Sequence, residues 1–270
     1  MNLHVRTGLY SLLGGLCFTA SALGAGHFWL WWLCGAITVA ALAPVVRFGP
    51  RHVLAQVGAL WLVLVVVGLV CTLSEGMVFY PAMKAEALRD LIGGSVMYLL
   101  VALVLTGLAR ALKLRAPEAY AIEHRSTGIA IPLVLLAGLS YVVYYQIFGM
   151  IAYEFFTKQY YPHAAEQVAA LGAWFWFYQW GRGTLMVLAL LPIVYTLRLR
   201  RWPAALAVGL LVWIAGGGAA LLVPNPMMVA AQRYAHILEI MTQNVSLGMT
   251  AVFLLRSRAA KATVQPAIAA

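Results

Sequence analysis

Long apolar runs recur along the whole chain, and short polar segments punctuate them. Eight runs read as membrane spans, at 8–25, 28–47, 53–74, 91–112, 128–152, 172–197, 203–222 and 229–254. Each is long enough to cross a hydrocarbon core roughly 30 Å thick. Backbone polar groups in hydrocarbon must pair internally, so such runs are helices or the strands of a closed barrel. The ten-residue alternation of barrel strands is missing, which leaves helices. The predicted fold is therefore all-α: a polytopic membrane bundle of about eight helices arranged as four hairpins. Residues 1–258 form a single transmembrane domain, and 259–270 read as a disordered cytoplasmic tail. The start also fits a secretory signal, with Ala20-Ser21-Ala22 and Leu23-Gly24-Ala25 as small-residue cleavage sites. An uncleaved first span is preferred because it completes the hairpin pattern.

Composition excludes a soluble globular domain. The chain is 64% hydrophobic and 10% charged, against about 25% charged in soluble proteins. Its net charge of +10 does not point to nucleic acid, because the charges sit in short caps at helix ends. Insertion topology and attraction to anionic lipid headgroups account for those caps. Cys17, Cys34 and Cys71 all lie in apolar stretches and offer neither a disulfide framework nor zinc spacing.

The charges also orient the bundle. If the runs are threaded as spans, thirteen of the eighteen Lys and Arg residues fall on one side, with only two of the eight acids. The positive-inside rule then puts both termini in the cytoplasm of a multi-pass protein of the inner membrane. The outer turns hold Glu75, Glu86, Asp90, Glu154 and Glu166. Two of these turns resemble each other, Phe79-Tyr80-Pro81 and Tyr160-Tyr161-Pro162, each preceded by a carboxylate, Glu75 and Glu154. A parallel duplication gives such a pattern, and so do aromatics and proline wherever a helix restarts at an interface.

The richest polar stretch is the last span, with Arg233, His236, Glu239, Gln243 and Asn244. His236 and Gln243 point the same way, and Glu239 lies about 60° from His236 around the helix. Polar groups on one stripe of a membrane helix belong against protein or a wet cavity. A His–Glu pair suits proton transfer; it equally serves to fix helix packing. In the fifth span Tyr141, Tyr144, Tyr145 and Gln146 form a polar face that runs up to Glu154, with Glu75 as its companion in the weak repeat. Arg182 is expected near the outer headgroups, beside an aromatic belt at 174–180. The candidate substrate- or proton-binding residues are thus Glu75, Glu154, His236, Glu239, Gln243, Tyr145, Arg182 and Arg233. Their spacing supports no metal site, and nothing in the sequence calls for a cofactor.

Hydrolase and phosphate-loop motifs are missing. The leading expectation is a permease or proton-linked carrier of a small molecule or ion, with a polar outer vestibule. The alternatives are an integral-membrane enzyme acting on a lipid-linked substrate through a Glu/His acid–base pair, and a non-catalytic subunit of a membrane complex. The partners foreseen are membrane lipid, a small-molecule or ion substrate, a second copy or a membrane-complex partner, and no nucleic acid.

Overall fold

A computed structural model of the chain describes residues 2–22, 26–116, 122, 125–161 and 163–257. These residues are helical nearly throughout, with no strand among them. The expected tail at 259–270 and the cleavage-like residues 23–25 lie outside the described residues. Helix α1 (Leu3–Gly15) continues as a 3-10 segment at Leu16–Ala22 and packs on α2 (Phe28–Phe48). Then follow α3 (Val53–Phe79), α4 (Ala87–Ala111) and α5 (Gly128–Thr157). Short α6 (Ala164–Leu171) leads into α7 (Ala173–Val194), α8 (Arg201–Gly218) and α9 (Ala230–Leu255).

Six of these, α2, α3, α4, α5, α8 and α9, are long and apolar enough to cross a membrane. The two other expected spans fall short for different reasons. Helix α1 is 13 residues before it tightens to 3-10 geometry. Helix α7 is 22 residues long, but Tyr178, Gln179 and Arg182 in its first half dilute its hydropathy. Helix α4 carries the most lipid-like exterior, with Leu88, Ile92, Val96, Leu100 and Val104 all exposed. An unbroken apolar face of this kind is untenable in water and is ordinary against acyl chains.

Small residues decide which helices touch. In α8 and α9, a Cβ on Gly248 would stand 2.6 Å from the Gly209 Cα, so the two backbones meet there directly. In α5 and α7, a Cβ on Gly183 would stand 2.6 Å from the Tyr141 Cβ and 2.7 Å from the Gly138 carbonyl oxygen. Lipid-bathed helices have little hydrophobic drive to associate, so close van der Waals approach at such sites selects the partner. Around these contacts lies a dry core that includes Leu42, Leu60, Leu105, Leu190, Val208 and Leu247.

Three stretches, in α3, α5 and α8, depart from α-geometry. Val63–Val70, Tyr153–Thr157 and Ile214–Gly218 are π-helical. The first and last face each other, with Gly68 against the Ala215 carbonyl. Gly217 breaks α8 outright at φ 117°, a conformation open to glycine and strained for other residues. At the opposite end of α9, Arg256 is 3% exposed. Its guanidinium donates to the carbonyls of Val194, Leu197 and Leu199 and moors α9 to the chain after α7.

Candidate functional site

Four helices bring their polar residues to one place. Helix α3 ends shortly after Glu75, whose carboxylate accepts a hydrogen bond from the Arg182 Nη2 on α7 at 2.5 Å. Arg182 Nη1 donates to Gln179 Oε1 at 3.2 Å, one turn earlier on the same helix. The Arg182 guanidinium also lies over the Tyr141 ring of α5, 5.5 Å from its centroid. Next to it, Ser74 and Tyr178 share a hydrogen bond of 2.9 Å between α3 and α7.

Helix α9 supplies the other half. His236 Nδ1 and Glu239 Oε2 are 3.0 Å apart, and Gln243 Nε2 donates to Glu239 Oε1 at 3.2 Å. One carboxylate therefore holds residues three before and four after it, the spacing at which helix side chains meet. This stripe faces α5: a Cβ on Gly149 would lie 3.5 Å from both Gln243 Nε2 and Glu239 Oε1. Tyr145, between the two halves, packs 6.1 Å from the Tyr141 ring and 5.7 Å from Phe175 of α7. Its Cδ1 also lies 4.0 Å from that Gly149 Cβ position, so the Tyr145 ring borders the Glu239–Gln243 pair.

These groups are out of bulk water. The Arg182 and Glu75 side chains are 7% and 17% exposed, and His236 and Glu239 23% and 14%. Desolvated ions persist only where partners offset the loss of hydration. The offset is incomplete in one respect. Arg182 Nε and Gln179 Nε2 are buried without a hydrogen-bond partner among the described residues. Two N–H donors thus stand unused beside a buried cation. That arrangement is suited to an oxygen acceptor brought by a ligand.

Of the eight residues singled out in the sequence, six gather here: Glu75, Tyr145, Arg182, His236, Glu239 and Gln243. Two do not. Glu154 is exposed and paired with Lys158 at 3.0 Å. Its place in the repeat therefore does not make it the equivalent of Glu75, although the two turns do touch through Phe79 and Tyr161, 6.5 Å between rings. Pro162 of the second turn lies outside the described residues. Arg233 is buried, but it donates to the carbonyls of Leu221 and Met228 and so ties down the segment before α9.

Arg182, foreseen near the outer headgroups, is buried inside the bundle. It lies nine residues into α7, about 14 Å from that end at 1.5 Å per residue. The aromatics at 174–180, foreseen as a belt, do not all face outward. The helix sorts them, turning Phe175 inward while Trp174 and Phe177 stay exposed. Gln179 and Ser74 were not anticipated. The signal for Gln179 was its spacing, since 175, 179, 182 and 186 make one stripe of α7, all buried.

Among the described residues, no three His, Cys, Asp or Glu side chains group to hold a metal ion. The cluster can exchange a proton between the His236 imidazole and the Glu239 carboxylate, and it can present a guanidinium to an anion or a carbonyl. No protein-family profile matches the chain, and no curated protein or solved structure is significantly similar to it.

Proposed function

We propose that this multi-pass membrane protein is a proton-linked carrier of a small molecule or ion. The substrate binds beside Arg182 and Gln179, and Glu239 with His236 takes up the coupled proton. The observation that carries this reading is the pair of unused donors, Arg182 Nε and Gln179 Nε2, beside the buried Arg182–Glu75 ion pair. Ionisable residues inside a membrane bundle are costly, so a substrate or proton pathway is their ordinary reason for being there.

A polar seam between α5 and α9 supports passage beyond the cluster. It runs from Glu239 past Gln243 to the Tyr144–Thr250 hydrogen bond of 2.7 Å. In the bilayer the carrier threads eight spans as four hairpins, with α1 and α7 as the two less apolar members. The packing of α1 on α2, α3 on α4, α5 on α7 and α8 on α9 supports that arrangement. Its Arg-rich end faces the cytoplasm of a cell inner membrane, together with both termini, by the positive-inside rule.

The test is uptake into proteoliposomes under an imposed pH gradient, across a panel of small carboxylates, amino acids and sugars. Glu239→Gln should abolish proton-driven uptake while sparing exchange of substrate at equal pH. Absence of any gradient-dependent flux across the panel would refute the carrier.

One observation favours a second reading, an enzyme acting on a lipid-linked substrate. Past Gln243 and Asn244 the buried face of α9 is apolar, with Leu247, Ala251, Val252 and Leu255, and an enzyme requires no polar route through the bundle. There Glu239 and His236 act as general base and acid. Loss of a lipid-linked substrate in sealed vesicles, without transfer of solute, distinguishes this reading from the carrier.

A further inference from the structure

The end of the bundle opposite the acidic cluster concentrates positive charge from three separate stretches of chain. The Arg115 guanidinium donates to the carbonyls of Arg51 at 3.4 Å and Gly49 at 3.3 Å. The backbone N–H of Arg198 donates to the Phe48 carbonyl at 2.8 Å, and that of Ala116 to the Arg47 carbonyl at 3.3 Å. The exits of α2, α4 and α7 are thereby knotted together, with Arg47, Arg51, Arg110, Arg115 and Arg198 around the knot. Partial burial, and then the charges of Arg51, Arg198 and Arg110, push the Arg115 guanidinium below its usual range.

Like charges held this close repel unless an anion joins them. No described carboxylate stands at this end. Glu75 and Glu154 lie at the far ends of α3 and α5, Glu86 and Asp90 at the start of α4, Glu166 in α6 before α7, and Glu239 in the first half of α9. Glu118 and Glu123, beyond Ala116, lie outside the described residues. A second observation points the same way. Arg47 Nε is buried with no hydrogen-bond partner among the described residues, while its guanidinium sits 5.0 Å from the Phe48 ring centroid. Arg51, Arg110 and Arg115 are exposed, so the cluster is open to a ligand from outside.

We propose that this arginine knot is a binding site for the phosphate of an anionic phospholipid, which bridges the exits of α2, α4 and α7. Guanidinium forks match phosphate oxygens with two parallel hydrogen bonds, which a merely diffuse attraction to the membrane surface does not require. A helix end sits at headgroup level, so the lipid's phosphate arrives at this height as its acyl chains lie along the apolar exterior of α4.

The experiment uses the full chain in neutral detergent, with unfolding followed by tryptophan fluorescence. Phosphatidylglycerol, phosphatidylcholine and inorganic phosphate are each titrated separately. Phosphatidylglycerol should raise the unfolding midpoint saturably, and phosphatidylcholine should not. In Arg51→Gln/Arg110→Gln, the half-saturating concentration should rise about 30-fold, from two contributions of about fivefold each. Neither side chain donates a hydrogen bond among the described residues, so the fold is expected to tolerate the change. Should that variant fail to fold, Arg51→Lys/Arg110→Lys keeps the charge without the fork and must bind at least several-fold more weakly than the parent; parent-like binding overturns the proposal. A rise with inorganic phosphate at matching concentration supports the phosphate site and assigns its ligand to free phosphate instead of lipid. An equal response to phosphatidylcholine and phosphatidylglycerol, or an unchanged titration in the double variant, overturns the proposal.

Discussion

Glu75 and Arg182, 107 residues apart in sequence, form an ion pair with Oε2 and Nη2 2.5 Å apart and with both side chains largely buried. Helix α3 ends just beyond one partner, and α7 carries the other well inside its length. The pair therefore locks the height of α3 against α7 as well as neutralising a cation. Removal of one partner leaves the other charge buried alone.

That asymmetry gives the first prediction. Glu75→Gln or Arg182→Gln should each destabilise the protein by about 3–5 kcal/mol, because an unpaired buried charge remains. The double variant, with no charge left, should be more stable than either single one. Reversible unfolding in mixed detergent measures all three. Singles no worse than the double would mean that the pair carries little structural weight.

The seam between α5 and α9 can be closed at Gly149 without replacing a polar residue. Its Cβ position is in ordinary van der Waals contact with Gln243 and Glu239, at 3.5 Å. Gly149→Ala should thus fold and keep activity, whereas Gly149→Leu should fold but lose at least tenfold in transport. Comparison of uptake with the unfolding midpoint separates blockage from collapse. Parallel loss of both in Gly149→Ala would contradict the contact.

Packing of α5 on α7 offers a sterically defined test. The Cβ of Gly183→Ala meets the Tyr141 Cβ at 2.6 Å and the Gly138 backbone at 2.7 Å, and neither is the loose end of a flexible side chain. The helices must part, which costs about 1–3 kcal/mol as overpacking. Tyr141 then moves off Arg182. A stable variant with unchanged tyrosine fluorescence would show that the gap is soft.

Gly217 is tested by conformation instead of volume. At φ 117° its backbone is closed to ordinary L-residues, although the nearest atom to its Cβ position, Ile240 Cδ1, is a tolerable 3.5 Å away. Gly217→Ala should cost about 1–3 kcal/mol through backbone strain alone. It should also disturb the neighbouring contact between Gly216 and Asn244, whose Oδ1 already lacks a partner among the described residues. Unfolding by denaturant gives the number; a neutral result would place the helix break elsewhere.

Arg256→Gln probes the mooring of α9. Three carbonyls lose a charged donor, and each hydrogen bond to a charged group is worth about 1.5–3 kcal/mol before relaxation. The C-terminal turn of α9 should fray first. Hydrogen exchange at 250–255 should rise well before exchange at 239–244, and simultaneous loss of protection would argue against a local role.

The last span displays most clearly what was legible in the chain. His236, Glu239 and Gln243 follow helical spacing, so their common stripe and shared carboxylate can be read directly from the order of residues. The apolar runs likewise foretell helices, because an unpaired backbone is intolerable in hydrocarbon. Glu154 shows the limit. It sits in a sequence context like that of Glu75, yet one carboxylate meets Lys158 in the open and the other meets a buried arginine. Local sequence specifies which face of a helix is polar, but not which neighbour that face will find.

The chain by itself determined that helices form, where six apolar ones lie, and which side chains share a stripe, since hydropathy and the 3.6-residue turn act over short range. Only the tertiary structure decided that α3, α5, α7 and α9 turn their stripes toward one another, that Arg182 sits inside the bundle, and that α8 breaks at Gly217. Those outcomes rest on contacts between segments scores of residues apart, where the absence of a single Cβ at Gly138, Gly183, Gly209 or Gly248 sets how closely two backbones approach. Such closeness is a property of pairs of helices, and a linear pattern does not encode it.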